Sequence, residues 1–155
     1  MAAVLPNVSQ DLIWEVARKQ NSFIVKRKGL GKSAIFSRDP LNLKNIHSKK
    51  YAGFAQDKAI GVQAGEKGSV QVTTKNVKKA QKPAENLTSF NYSSANRKSY
   101  KSVANLAAGR SYRSDLRQVA VERVSAIRRS EKAYKEVPES KPRGKKAQNT
   151  DEAES

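Results

Sequence analysis

An α+β fold, with small antiparallel β-hairpins packed with about three helices and followed by a basic disordered C-terminal tail, is predicted by three features of the sequence. In Arg110–Lys135, residues Leu116, Val119, Ala120, Val124 and Ile127 recur at three- and four-residue steps, which gathers them on one side of an α-helix. The runs Ala59–Ala64 and Ser69–Thr74 alternate apolar with small or polar residues around Gly65-Glu-Lys-Gly68, the pattern of a β-hairpin. Beyond Val137 apolar content almost vanishes, and such a segment cannot bury enough surface to offset the entropy of ordering. The chain is expected to divide into an N-terminal tail at 1–6, one domain at 7–135 and a disordered tail at 136–155.

Taken in order, Asn7 or Ser9 can cap a first helix over Gln10–Gln20. Leu12, Ile13, Val16 and Ala17 are its apolar stripe, and Trp14, the only tryptophan, is a core or edge anchor beside it. Ser22–Lys28 and Ser33–Ser37 read as strands around Gly29-Leu-Gly31. Asp39-Pro-Leu-Asn42 has the residue types of a turn. Leu43–Phe54 reads as irregular and basic, with Tyr51 and Phe54 among its cations. In the clearest hairpin, Ile60, Val62, Val70 and Val72 share one face, suited to packing on a helix. Pro83–Asn96 is rich in Ser, Asn and Thr and is expected to follow a surface without regular structure. Arg97–Ala108 is a second helix with Tyr100, Val103, Ala104 and Ala107 on one side, and Gly109 is placed to stop it. The last helix begins near Ser111 or Ser114.

Charge narrows the function classes. Among the 155 residues, 31 Lys and Arg face 14 Asp and Glu, a formal net charge of +17. Solubility alone asks for a net charge of about 2 to 8 in a small domain, and self-repulsion beyond that opposes a compact state unless a polyanion offsets it. The excess is not confined to a tail: 16 basic against 6 acidic residues stand up to Asn96, and 15 against 8 from Arg97 onward. A DNA reader more often concentrates charge on one recognition element, whereas cations spread over turns and helices with interleaved Tyr and Phe suit RNA. Hydrophobic residues make up 37% of the chain, which predicts a thin core.

Other chemistry is excluded residue by residue. The chain has no cysteine, hence no disulfide, thiolate metal site or Cys nucleophile. His47 is the only histidine and is expected to be a surface or RNA-facing side chain, with no metal site around it. Gly29-Leu-Gly-Lys-Ser33 imitates the end of a phosphate-binding loop, but Lys26 occupies the place of its first glycine and a strand, not a helix, follows. No paired carboxylates sit in an apolar pattern, so neither an enzyme nor a cofactor nor a small-molecule substrate is expected. No apolar run approaches the roughly 20 residues of a membrane span, and the N-terminus lacks the basic region of a secretory signal, so the chain reads as intracellular.

The candidate RNA contacts fall into clusters. Lys26, Arg27, Lys28 and Lys32 flank the first turn, and Lys49, Lys50 and Tyr51 lie in the irregular basic stretch. Lys75, Lys78 and Lys79 lead away from the second hairpin, and Arg97 and Lys98 open the second helix. Arg110, Tyr112, Arg113, Arg117, Arg128, Arg129 and Lys132 belong to the last helical segment, where Arg117, Arg128, Lys132 and Lys135 share a face beside the apolar stripe, with Arg110 on the same bearing if the turn before the helix keeps it there. Arginine on a rigid helix presents a planar fork to phosphate. On this reading, Arg117→Glu combined with Arg128→Glu weakens RNA association and leaves the fold nearly unchanged. Arg123 stands at the bearing of Leu116 and Ile127 and either narrows the core side or reaches past it.

The runs S-F-I-V-K-R, I-G-V-Q-A-G-E-K-G-S-V-Q-V, K-P-A near Lys82 and S-Y-R-S-D-L-R-Q-V-A-V-E-R-V-S-A-I-R-R-S occur in an order and spacing similar to a known family. Over roughly residues 9–135 the sequence resembles the eukaryotic large-subunit ribosomal protein L28e family. The resemblance implies an α+β domain seated on large-subunit rRNA, beside neighbouring ribosomal proteins, with structural rather than catalytic work. It also implies a cytoplasmic ribosomal location with assembly in the nucleolus. Ser114 departs from the family pattern, which has Pro at the helix start, and the acidic C-terminal end lies outside the resemblance. A nucleolar assembly factor of the Mak16 type, from the same superfamily, would be longer, carry cysteines and end in a long acidic extension. A cationic membrane-active protein would need bulky aromatics opposite its cations, and the small apolar face of Leu116–Ile127 has Arg123 in its midst.

Overall fold

Alternating small and β-branched residues build β3 (Ile60–Ala64) and β4 (Val70–Lys75), which pair antiparallel with Val62 opposite Val72 and Ala64 opposite Val70. Side chains alternate between the faces of a strand, so this register puts Ile60, Val62, Val70 and Val72 on one face. All four are buried, as the sequence predicts. The computed structural model describes residues 8–29, 33–93 and 97–136, except the side chains of Lys67 and Arg110. Apart from Glu136, both expected tails lie outside the described residues, as does Lys32.

A third strand, β5 (Leu87–Tyr92), pairs with the other edge of β4, with Phe90 opposite Val72 and Tyr92 opposite Val70. This corrects the expectation of an irregular stretch at Leu87–Tyr92; residues 94–96 of the same expected stretch lie outside the described residues. Thr88, Phe90 and Tyr92 supply the β-branched and aromatic side chains of a pleated surface. The Ser and Asn between them, and a strand exposed along most of its length, hide the alternation in the sequence.

Two helices cover the buried face. α2 (Arg97–Ala108) matches its predicted span, and α3 (Arg117–Glu131) follows a short 3-10 turn at Ser114–Leu116. Val103 and Ala107 of α2, with Leu116, Ala120, Val124 and Ile127, pack on the four β-branched residues of the sheet and on Leu43. The corner between the helices differs from expectation. Gly109 opens a 3-10 turn, and the residue in the left-handed region is Ser111, with φ 50°.

At the other end of the molecule, β1 (Ile24–Arg27) and β2 (Ala34–Ser37) form the predicted hairpin, with Val25 opposite Phe36. α1 (Gln10–Ala17) is capped by Ser9, whose Oγ accepts from the Leu12 amide at 3.1 Å. Its expected stripe is corrected: Leu12 and Val16 are 51% and 71% exposed, and Trp14 is the buried residue. A helix of eight residues gains most of its stability from packing, and the indole offers the largest surface to bury. Trp14 fills a second, small core with Ala52, Ala55, Ile13 and Phe54. The His47 ring lies tilted against it, with ring centroids 4.9 Å apart.

The Asp39–Asn42 turn ties this small core to the sheet. Buried Asp39 accepts from the Leu41 amide at 2.9 Å and from the Phe54 amide at 3.2 Å. The turn also crosses β3 closely: a Cβ on Gly61 would stand 2.3 Å from the Pro40 carbonyl oxygen. Backbone cannot yield there without moving the turn. Gly61→Ala is therefore expected to cost about 1–3 kcal/mol in urea unfolding, and an unchanged midpoint would mean that the turn moves freely.

Candidate nucleic-acid interface

The predicted contacts separate into side chains turned inward and side chains left at the surface. Four of them hold the fold together. The Tyr112 hydroxyl donates to the Lys75 carbonyl at 2.5 Å, with the Ala59 carbonyl at 3.3 Å, and thereby pins the α2–α3 corner to the ends of β3 and β4. Burial pushes its phenol above the ordinary value. The Lys75 ammonium is turned onto the segment before β3 and donates to the carbonyls of Gln56 and Gly53 at 2.9 and 3.3 Å. Burial holds its pKa below the ordinary value, against the pull of the Asp57 and Asp39 carboxylates.

Arg113 is a clamp. Its guanidinium forks onto Asp115 with Nε–Oδ1 2.8 Å and Nη2–Oδ2 2.9 Å. It also donates to the Lys58 and Lys50 carbonyls at 2.9 and 3.1 Å. The Arg113 hydrogen bonds hold the Asp115 carboxyl below its ordinary value of 3.8. A depressed carboxylate contributes stability above its unfolded-state pKa and loses it as pH falls through the folded-state one. The Asp115 side chain is 43% exposed, so solvent screens the pair and keeps the contribution small. Asp115→Asn is expected to flatten the loss of melting temperature below about pH 4, measured by circular dichroism. An acid limb identical to that of the parent chain would rule the clamp out as a source of acid sensitivity.

Arg128 is the largest correction to the predicted cation row. It is 6% exposed, its Nη2 donates to Ser99 Oγ at 3.0 Å, and its guanidinium lies 5.5 Å from the Tyr100 ring centroid. The contact joins the start of α2 to the end of α3, so the two helices run antiparallel and cover a residue that the helical period alone places beside exposed Arg117. Arg123 resolves toward a narrow core: it is partly buried, and its Nε has no hydrogen-bond partner among the described residues.

The remaining cations face outward. Lys26, Arg27 and Lys28 are exposed on the first hairpin, and Lys50 stands 5.8 Å from the ring centroid of partly buried Tyr51. Lys49 is paired with Asp11, and Lys79 with Glu85 at 2.6 Å, both at the surface. Lys78, Arg97, Lys98, Arg117, Arg129 and Lys132 are exposed without a salt bridge among the described residues. The side chain of Arg110 lies outside the described residues. Arg97 and Lys98 have an unusual place, since they sit in the first turn of α2 with no acidic residue there. A helix N-terminus carries a positive partial charge and unsatisfied N–H groups, so cations there repel the dipole and an anion relieves both.

Sequence reading missed two surface residues. Lys58 is exposed and stands 5.8 Å from the Tyr112 ring centroid. Phe90 is 40% exposed on β5, and only the Thr88, Phe90, Tyr92 alternation could have signalled it. Among the described residues no helix is long and apolar enough to cross a membrane, and no group of three His, Cys, Asp or Glu side chains could hold a metal ion.

A basic α+β surface of this kind has relatives. Residues 12–130 match the model of the ribosomal L28e protein family. The chain belongs to that family. Large ribosomal subunit protein eL28 of Schizosaccharomyces pombe is 42% identical to it over 133 residues, which cover 84% of this chain and 98% of the relative. The protein of the same name from Dictyostelium discoideum is 39% identical over 131 residues, 81% of this chain and 94% of the relative. That of Caenorhabditis elegans is 36% identical over 124 residues, 80% and 91% of the two chains. The family match takes in both hairpins, β5, α2 and nearly all of α3.

Proposed function

We propose that this protein is a structural constituent of the cytosolic large ribosomal subunit, binding and bridging rRNA segments with cations on separate faces and doing no catalytic work. The observation that carries the reading is likeness along at least four-fifths of the chain to proteins named as large-subunit constituents. The charge supports it. A net +17 spread over both halves needs a polyanion on several sides to relieve its own repulsion. Residues 7–135 act as one RNA-binding domain, and neighbouring ribosomal proteins share its surface. Assembly takes place in the nucleolus and the working location is the cytoplasmic ribosome.

Arg97 and Lys98 at the head of α2, the Lys26–Lys28 strand end, and Arg117, Arg129 and Lys132 along α3 offer phosphate contacts in different directions. Each phosphate neutralised releases condensed counterions, so affinity falls with salt at a log–log slope of about −0.7 to −0.9 per contact. In sedimentation at rising salt, the protein is expected to travel with large-subunit particles and to leave them only at high ionic strength. Travel as free protein at physiological salt would overturn the reading.

A further inference from the structure

A groove of about 600 Å³ opens between the sheet and the end of α2. Its apolar wall is formed by Phe90 of β5, Leu106 of α2 and the ring of Tyr112. Phe90 is 40% exposed, which is unusual for a ring whose cross-strand partner, Val72, is fully buried. Lys58, Lys75 and Lys78 line the same groove, the Asn105 amide borders it, and no carboxylate lines it among the described residues. Lys75 is committed to two backbone carbonyls, which leaves the ammonium groups of exposed Lys58 and Lys78 for an incoming ligand.

An aromatic wall with cations and without acids selects a ligand that combines a flat apolar face with negative charge. An unpaired nucleotide has both, and RNA-binding surfaces characteristically stack such bases on aromatic rings. An apolar protein segment would use the wall but leave the lysines desolvated beside it. We propose that this groove takes a single unstacked rRNA base against Phe90, with the adjoining phosphate met by Lys58 and Lys78. The proposal rests on the rRNA reading above and adds base stacking to a surface otherwise built for phosphate.

The test uses the full chain with two probes, a 12-nucleotide single-stranded RNA bearing one 4-thiouridine and a 12-base-pair RNA duplex. The parent chain is expected to bind both and, on irradiation, to crosslink the 4-thiouridine within Leu87–Tyr92. Phe90→Leu keeps an apolar side chain on β5 but removes the ring, and should weaken single-strand binding about tenfold with duplex binding within about twofold. Phe90→Tyr should restore the parent affinity. Single-strand binding unchanged in Phe90→Leu, or a crosslink confined to other segments, overturns the stacking site and leaves the phosphate reading standing. Failure of the parent chain to bind either probe overturns both.

Discussion

Arg128→Glu is expected to destabilise the protein by about 3–5 kcal/mol, enough to unfold a marginal domain. The guanidinium is buried between the two helices, donates to Ser99 Oγ and stands against the Tyr100 ring. A carboxylate there would be desolvated beside a ring face that repels anions. Urea unfolding followed by circular dichroism reads the effect. Arg128→Met, which keeps volume and removes charge, should cost much less than the reversal, since apolar replacement of a buried ion is often tolerated. Arg117→Glu in the same assay should stay within about 0.5 kcal/mol of the parent. If Arg128→Glu also unfolds at the parent midpoint, the residue is a surface cation after all.

This outcome separates two arginines that the helical period makes equivalent. Arg117 and Arg128 are eleven residues apart, or about 20° on the helix, so periodicity places them on one face. What divides them is the start of α2, packed against the far end of α3, and no count along α3 contains that information. The same division runs through the molecule. The Ile60, Val62, Val70, Val72 face and the α2 span were legible because apolar alternation and helical spacing are local. β5 was not, because β4, distant from any local pattern, supplies its strand partner, and Ser89 and Asn91 flank Phe90 in a strand exposed along most of its length. Tyr112 and Lys75 looked like RNA contacts for a related reason. Their types say that they can meet phosphate or a base, but only the fold shows that the Lys75 carbonyl receives the Tyr112 hydroxyl and that the Lys75 ammonium is spent on the Gln56 and Gly53 carbonyls. Trp14 displaced Leu12 and Val16 from the small core because the packing site is shaped by Ala52, Ala55 and Phe54, distant in sequence.

Charge reversal at the head of α2 should move stability and RNA affinity in opposite directions. Arg97 and Lys98 sit where the helix dipole disfavours cations, and the first turn holds no acidic residue. Arg97→Glu with Lys98→Glu replaces two repulsions by two attractions and should raise unfolding stability by about 1 kcal/mol. If both cations contact phosphate, the same variant loses about two units of log–log salt slope in binding to purified large-subunit rRNA, one for each contact. The ionic part of the affinity vanishes near 1 M salt, so that change amounts to about a hundredfold weaker binding near 0.1 M. A general loss of positive charge would weaken binding without tying it to this site, and Lys19→Glu with Lys44→Glu, both exposed and outside the proposed contacts, supplies that comparison. Equal slopes for the two double variants would place the rRNA elsewhere than α2. Greater stability together with a selectively lost slope would mean that the unfavourable cations are retained for the phosphate that they meet.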